Sequence, residues 1–165
     1  MLMCQWSEKK ASQHWFLNNM NYLAIDPGAA GGIAWTYDNA THAVAMPETV
    51  VDLADHIRFL LVQKNCRVAF LEEIPKFSGP NGSAMIKLGI RYGECRGVLA
   101  TLGIRMVEIK PQAWQKALGL GNRKDHGTRW KNHLKEKAQV LYPELDVILK
   151  TADALLILEA GQQLS

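Results

Sequence analysis

The chain has 165 residues, a formal net charge of +3, 48% hydrophobic and 21% charged residues, the composition of one globular domain large enough to bury a core. No apolar run approaches the ~20 residues that cross a bilayer, and the first twenty residues scatter their apolar side chains among Gln5, Ser7, Glu8, Lys9, Lys10 and Gln13, unlike a signal peptide. Three cysteines far apart (Cys4, Cys66, Cys95) and five histidines without an HExxH spacing suggest neither a disulfide framework nor a zinc site, so the expectation is a cytoplasmic protein without membrane contact.

Residues 1–19 carry no strand pattern and read as an extension dispensable to a single domain over 20–165. Tyr22–Asp26 is the first strand, a short apolar run that ends in a carboxylate. Pro27 and Gly28 turn the chain, and Gly32–Tyr37 forms the second strand. A turn-stabilising Asp and a site for a cation or phosphate both fit this motif alone. Asp38-Asn39-Ala40 makes a hairpin into a third strand, His42–Met46. Pro47-Glu48 opens a helix with Val51, Leu53, Ala54, Ile57, Leu60 and Leu61 as its apolar stripe.

Cys66–Leu71 is a fourth strand, followed at once by Glu72 and Glu73. After a Pro- and Gly-rich loop, Ser83 is the expected N-cap of a helix reaching about Thr101. Gly89, Gly93 and Gly97 recur there at four-residue intervals. Each costs about 1 kcal/mol of helix propensity against Ala, so close approach of a neighbour is expected, either the sheet or a second subunit. Arg105–Ile109 is the fifth strand, Gln112–Leu118 a short helix after Pro111, and Thr128–Tyr142 a longer one ended by Pro143. The last helix, from Thr151 to about Ala160, holds Asp153 in its first turn. From Lys110 to Lys137 there are eight Lys or Arg against Asp125 and Glu136, with Trp114 and Trp130 between them. That pattern suits either a polyphosphate backbone with stackable bases or a solvated helix face.

The element order is β-β-β-α-β-α-β-α-α. Strand one ends in an acid, strand four ends in an acid, and a third acid lies inside an apolar helix. An uncompensated carboxylate in such surroundings costs several kcal/mol. Three of them in elements that pack together make sense if they share divalent cations, for which oxygen donors are the preferred ligands.

Ala24-Ile25-Asp26-Pro27-Gly28, Ala69-Phe70-Leu71-Glu72 and Thr151-Ala152-Asp153-Ala154-Leu155-Leu156 together resemble the three acidic motifs of RuvC-type Holliday junction resolvases, and the similarity extends over roughly Met20 to Gly161. Between the motifs, Ser83-Ala84-Met85 through Gly97, Thr101-Leu102-Gly103-Ile104 and Lys110-Pro111-Gln112-Ala113-Trp114 look like phage and bacterial members. The resemblance implies an α/β, RNase H-like fold with a mixed five-stranded sheet flanked by helices. It implies a homodimer that nicks four-way DNA junctions in pairs, with two Mg²⁺ per active site, Mn²⁺ as a substitute, and no other small-molecule cofactor. Asp26, Glu72 and Asp153 would be the catalytic metal ligands, with Asp26 bridging both ions and Glu73 on the opposite face of its strand.

Where the family has a fourth acid or a His, three residues before the last Asp, this chain has Lys150. An i, i+3 neighbour of Asp153, Lys150 would either reach the scissile phosphate or weaken metal binding by repulsion. The resemblance implies that Phe77 lies in the region such resolvases place against the junction centre, where stacking on an unpaired base competes with folding onto the surface. Lys76, Lys87 and Arg91 are candidate phosphate contacts, extended along the duplex arms by Lys110, Arg123, Lys124, Arg129 and Lys131. A non-catalytic branched-DNA-binding protein and a nuclease acting on flaps or forks remain alternatives on the same fold. Actin-like and sugar-kinase ATPases share the strand-Asp-x-Gly turn but need a second domain, for which 165 residues leave no room.

Overall fold

The computed structural model describes residues 21–74 and 82–165. The 1–19 extension, Lys76 and Phe77 therefore lie outside the described residues. Five strands, β1 (Asn21–Ile25), β2 (Gly32–Tyr37), β3 (Ala40–Ala45), β4 (Cys66–Glu72) and β5 (Arg105–Ile109), form one sheet in the order β3-β2-β1-β4-β5. The β3-β2-β1 half is antiparallel and the β1-β4-β5 half is parallel. This is the mixed five-stranded α/β sheet expected from the sequence. The helices are α1 (Val50–Lys64), α2 (Gly82–Thr101), α3 (Pro111–Ala117), α4 (Arg123–His126), α5 (Trp130–Leu141) and α6 (Leu149–Leu164).

Side-chain alternation along the strands divides the core between two faces. Leu23, Ile25, Ile33, Ala69 and Leu71 point to the face covered by α1 and α2, where they meet Leu53, Ile57, Leu60, Cys95 and Leu99. Ala24, Ala34, Val68 and Phe70 point to the other face and meet Trp114 of α3, Leu134 of α5 and the length of α6. Because the central strands are buried on both faces, they read as nearly continuous apolar runs rather than alternating ones.

Helix α6 lies across β1 and β2, and every residue from Thr151 to Leu158 is buried. Full burial of Leu155, Leu156, Ile157 and Leu158 stabilises the fold by about 1.5–3 kcal/mol each. Small residues allow this close seat. A Cβ at Gly32 would stand 2.5 Å from the Lys150 carbonyl oxygen and 2.6 Å from that of Val44, and a Cβ at Gly161 would enter the ring of Phe70.

Local departures from the expected boundaries have identifiable causes. The cap of α1 is Thr49, whose hydroxyl accepts the Asp52 N–H at 3.1 Å, so the helix starts at Val50 instead of Pro47 and Val51 is exposed. Asp38 and Asn39 both have positive φ, 51° and 59°, a two-residue turn that starts β3 at Ala40. Helix α2 begins at Gly82, ahead of the Ser83 expected to cap it. The Thr128–Tyr142 helix is split: a 3₁₀ turn, Gly127–Arg129, precedes α5, and the extra short helix α4 lies before it. Helix α6 begins at Leu149 instead of Thr151, so its first turn holds no acidic residue. Asp153 therefore lies beyond the first turn and gains little from the helix dipole.

Candidate active site

The turn after β1 is built around Asp26. Its N–H donates to the Gly32 carbonyl at 3.0 Å, Gly31 N–H donates to Gly28 O at 2.9 Å, and Asp26 Oδ1 accepts the Gly28 N–H at 3.1 Å. A Cβ at Gly31 would stand 2.7 Å from Asp26 Cγ, so only glycine lets the chain fold back over this carboxylate. Asp26 is buried. On the adjacent parallel strand Glu72 is the last residue of β4. Strand period two puts residues 24 and 26, and 70 and 72, on the α6 side of the sheet. Glu72 Oε1 accepts the indole N–H of Trp114 at 3.0 Å. The third acid, Asp153, comes down from α6 and is only 5% exposed.

These groups share two neighbouring grooves. Asp26, Gly31, Glu72, Lys131, Leu149 and Lys150 line the first; Glu72, Trp114, Arg123, Lys131 and Asp153 are among the walls of the second. Glu72 and Lys131 face both. Lys131, on α5, forms an ion pair with Asp153 Oδ2, while the other oxygen, Oδ1, is buried with no hydrogen-bond partner among the described residues.

The electrostatics follow from three carboxylates in one low-dielectric corner. Burial, then the Asp153 carboxylate, push Asp26 above its ordinary range, against the pull of the Gly28 N–H and Lys131. Burial and then Asp26 raise Glu72 from 4.5 to about 8, although the Trp114 hydrogen bond works the other way. Burial opposes the charged form of Lys131, but Asp153, Asp26 and Glu72 outweigh it and hold the ammonium above its ordinary range. The corner attracts cations from every side.

Among the described residues no three carboxylate, imidazole or thiol side chains stand close enough to hold a metal ion as they are, and an ammonium occupies one oxygen of Asp153. The donor set nevertheless fits divalent cations: all donors are hard oxygens, two of the acids resist ionising beside one another, and Asp153 Oδ1 has no partner.

Comparison with solved structures decides the fold. A structure of RuvC from Thermus thermophilus matches at a TM-score of 0.59 and 17% identity over 87% of this chain and 93% of that one. The same protein in complex with a Holliday junction substrate matches at 0.59 and 16%, over 87% and 92%. The chain has the RuvC fold. No protein-family model and no curated protein matches the sequence, so the likeness lies in three-dimensional structure.

On this RuvC fold the remaining predicted residues fall in different places. Lys150 lines the Asp26–Glu72 groove, and Arg123 lines the Glu72–Asp153 groove. Lys124 and Arg129 are exposed on α4 and the 3₁₀ turn. Lys110 and Glu73 belong to a separate groove beside the end of β5. Lys87 is exposed on α2, and Arg91 is ion-paired with Glu94 at 2.8 Å.

Two sequence readings need correction. Trp114 and Trp130, for which stacking on bases was one of two readings, are 1% and 6% exposed and belong to the core; they sit on the inward faces of helices whose outward faces carry the charges. The glycine face of α2 does not pack on the sheet, for among the described residues nothing lies within 4 Å of a Cβ at Gly89, Gly93 or Gly97. Two contacts were missed altogether. The charge run marked Lys131 as a surface residue but not its reach to Asp153, and nothing local marked Trp114 as the partner of Glu72.

Proposed function

We propose that this protein is a structure-selective endodeoxyribonuclease that resolves four-way DNA junctions by paired phosphodiester hydrolysis, in recombination and repair or in phage DNA processing in the cytoplasm. The observation that carries the reading is the convergence of Asp26, Glu72 and Asp153 on one basic-rimmed corner of a RuvC fold. Asp26, Glu72 and Asp153 would hold two Mg²⁺ ions. When bound, the ions would activate water and stabilise the leaving oxygen.

The chain's own residues do the rest. Trp114 fixes one oxygen of Glu72, which keeps its carboxyl in a single orientation. Arg123 and Lys150, on the groove walls, would hold the scissile phosphate by charge. Lys124, Arg129, Lys110, Lys87, Arg91, Lys76 and Phe77 would carry the junction arms and centre, giving salt-dependent binding with little sequence preference.

Paired nicking needs two sites, and the exposed face of α2 supports a homodimer. Ile86 and Ile90 are 65% and 58% exposed on the same side as glycines that leave room for a partner backbone. If the wild type scatters light as a dimer and Gly93→Leu remains one, this face is not the interface.

The test is cleavage of a labelled four-way junction in Mg²⁺, beside linear duplex, flap and fork, with Asp26→Asn as control. Paired nicks in the junction, absent from Asp26→Asn, are the expected result. Preferential nicking of a flap or fork would replace the substrate. The Lys131–Asp153 ion pair favours one further reading, a junction-binding protein without cleavage, and tight binding with no nicks in Mg²⁺ or Mn²⁺ would establish it.

A further inference from the structure

Lys131 is the one basic side chain among the described residues that forms an ion pair with any of the three acids. It also faces both grooves, whereas Lys150 lines only one and Arg123 only the other. Its environment is asymmetric: the Lys131 side chain is 59% exposed and that of Asp153 only 7%. A half-exposed lysine is withdrawn into water at small cost, and such a pair adds little to stability by itself. The buried carboxylate cannot be left alone so cheaply, because an unpaired charge in that position carries a large desolvation penalty. While ionised, Asp153 therefore requires a cation, and the lysine is the partner free to leave. The ammonium also satisfies the acid incompletely, for among the described residues Asp153 Oδ1 has no hydrogen-bond partner.

We propose that Lys131 is a resident counter-cation of the acid corner, displaced from Asp153 by an arriving divalent ion and thereby released toward a DNA phosphate. The proposal rests on the nuclease reading only in taking the three acids as the cation site. It makes Lys131 a positioning residue that lowers intrinsic metal affinity in the absence of DNA. A phosphate that engages the released ammonium removes the competitor, so DNA and metal each favour the binding of the other, as linkage requires. The exchange breaks no covalent bond and leaves the net charge of the corner more positive.

The experiment is titration of the DNA-free protein with Mn²⁺ alone, followed by the loss of the free-ion signal in electron paramagnetic resonance. Lys131→Met keeps the aliphatic stem and removes the charge, Lys131→Gln repeats the neutralisation with a different head group, and Lys131→Arg keeps the charge. Met and Gln should each tighten Mn²⁺ binding about tenfold, the scale of losing one like charge in a partly exposed site. Arg should remain within about threefold of wild type, less than 1 kcal/mol. Circular dichroism melts confirm that each variant folds.

If wild type binds Mn²⁺ and neither neutral variant binds more tightly, the counter-cation role is overturned while the cation site stands. If neither wild type nor the neutral variants bind Mn²⁺ at millimolar concentration, both the inference and the metal-dependent reading fall. A mere structural role for Lys131 predicts a lower melting temperature with unchanged affinity, which also overturns the proposal.

Discussion

The seat of α6 on the sheet and the outer face of α2 both use glycine, with opposite physical meaning. Gly32 and Gly161 lack a Cβ because the Lys150 backbone and the Phe70 ring already fill its place. On α2, Gly89, Gly93 and Gly97 face empty space. The two helices differ accordingly: α6 is buried along most of its length, while α2 buries only Cys95 and Leu99 among its twenty residues. The helix propensity lost at Gly161 is offset by close packing on Phe70, whereas no contact among the described residues offsets it on α2.

The largest effect that would break this contrast is at Gly32. Gly32→Ala forces a methyl against two backbone carbonyls, and overpacking against backbone that cannot rotate away should cost about 3 kcal/mol. Urea unfolding should show the loss as a lower midpoint with an unchanged slope. A stability equal to wild type would mean that α6 is not seated as closely as described.

The second effect concerns the charge that the tight seat confines. Folding raises Glu72 from 4.5 to about 8, so between those values the folded chain holds a proton that the unfolded chain releases. Its contribution to stability is therefore full below about pH 4.5 and is lost as pH rises toward 8. Raised Asp26 has the same sign. Glu72→Gln should thus be more stable than wild type by about 4 kcal/mol at pH 8 and nearly indistinguishable from it near pH 4.5. Calorimetry of the metal-free proteins at both values checks this; a constant difference would mean that burial does not raise Glu72.

The smallest effect sharpens the other side. Gly93→Ala adds a methyl in open space within a helix and should stabilise an isolated chain by about 0.5–1 kcal/mol. Measured across a dilution series, the gain should appear at low concentration and shrink or reverse where the chain self-associates. A gain independent of concentration would leave the glycine face without a partner.

The fold was legible because its signals are local: two-residue turns, strand runs of five to seven residues and a helix apolar on all sides. The three acids were legible for a related reason, since a carboxylate at the end of a buried strand or inside an apolar helix contradicts its surroundings. The contacts that complete the corner were not. Lys131 reaches Asp153 across 22 positions and Trp114 reaches Glu72 across 42. Such pairings depend on how α3 and α5 dock onto α6, and residue type and spacing carry no record of that. The same limit explains the tryptophans. Interleaving with lysines shows that both kinds of residue share a helix, but which of them turns inward is decided by what the helix packs against.

The parallel pairing of β1 with β4 matches Ile25 to Leu71, so Asp26 and Glu72 occupy the next rung of one ladder. The spacing of their backbones is accordingly set by the interstrand distance of the hydrogen-bonded sheet that ends beside them, about 4.8 Å. A library that randomised the loops and the basic rim could reshape the surface around the corner while the backbones of these two acids kept their interval. The same ruler makes the pair unforgiving: moving either acid one position along its strand turns it to the far side of the sheet, so the site tolerates redesign around it far better than redesign within it.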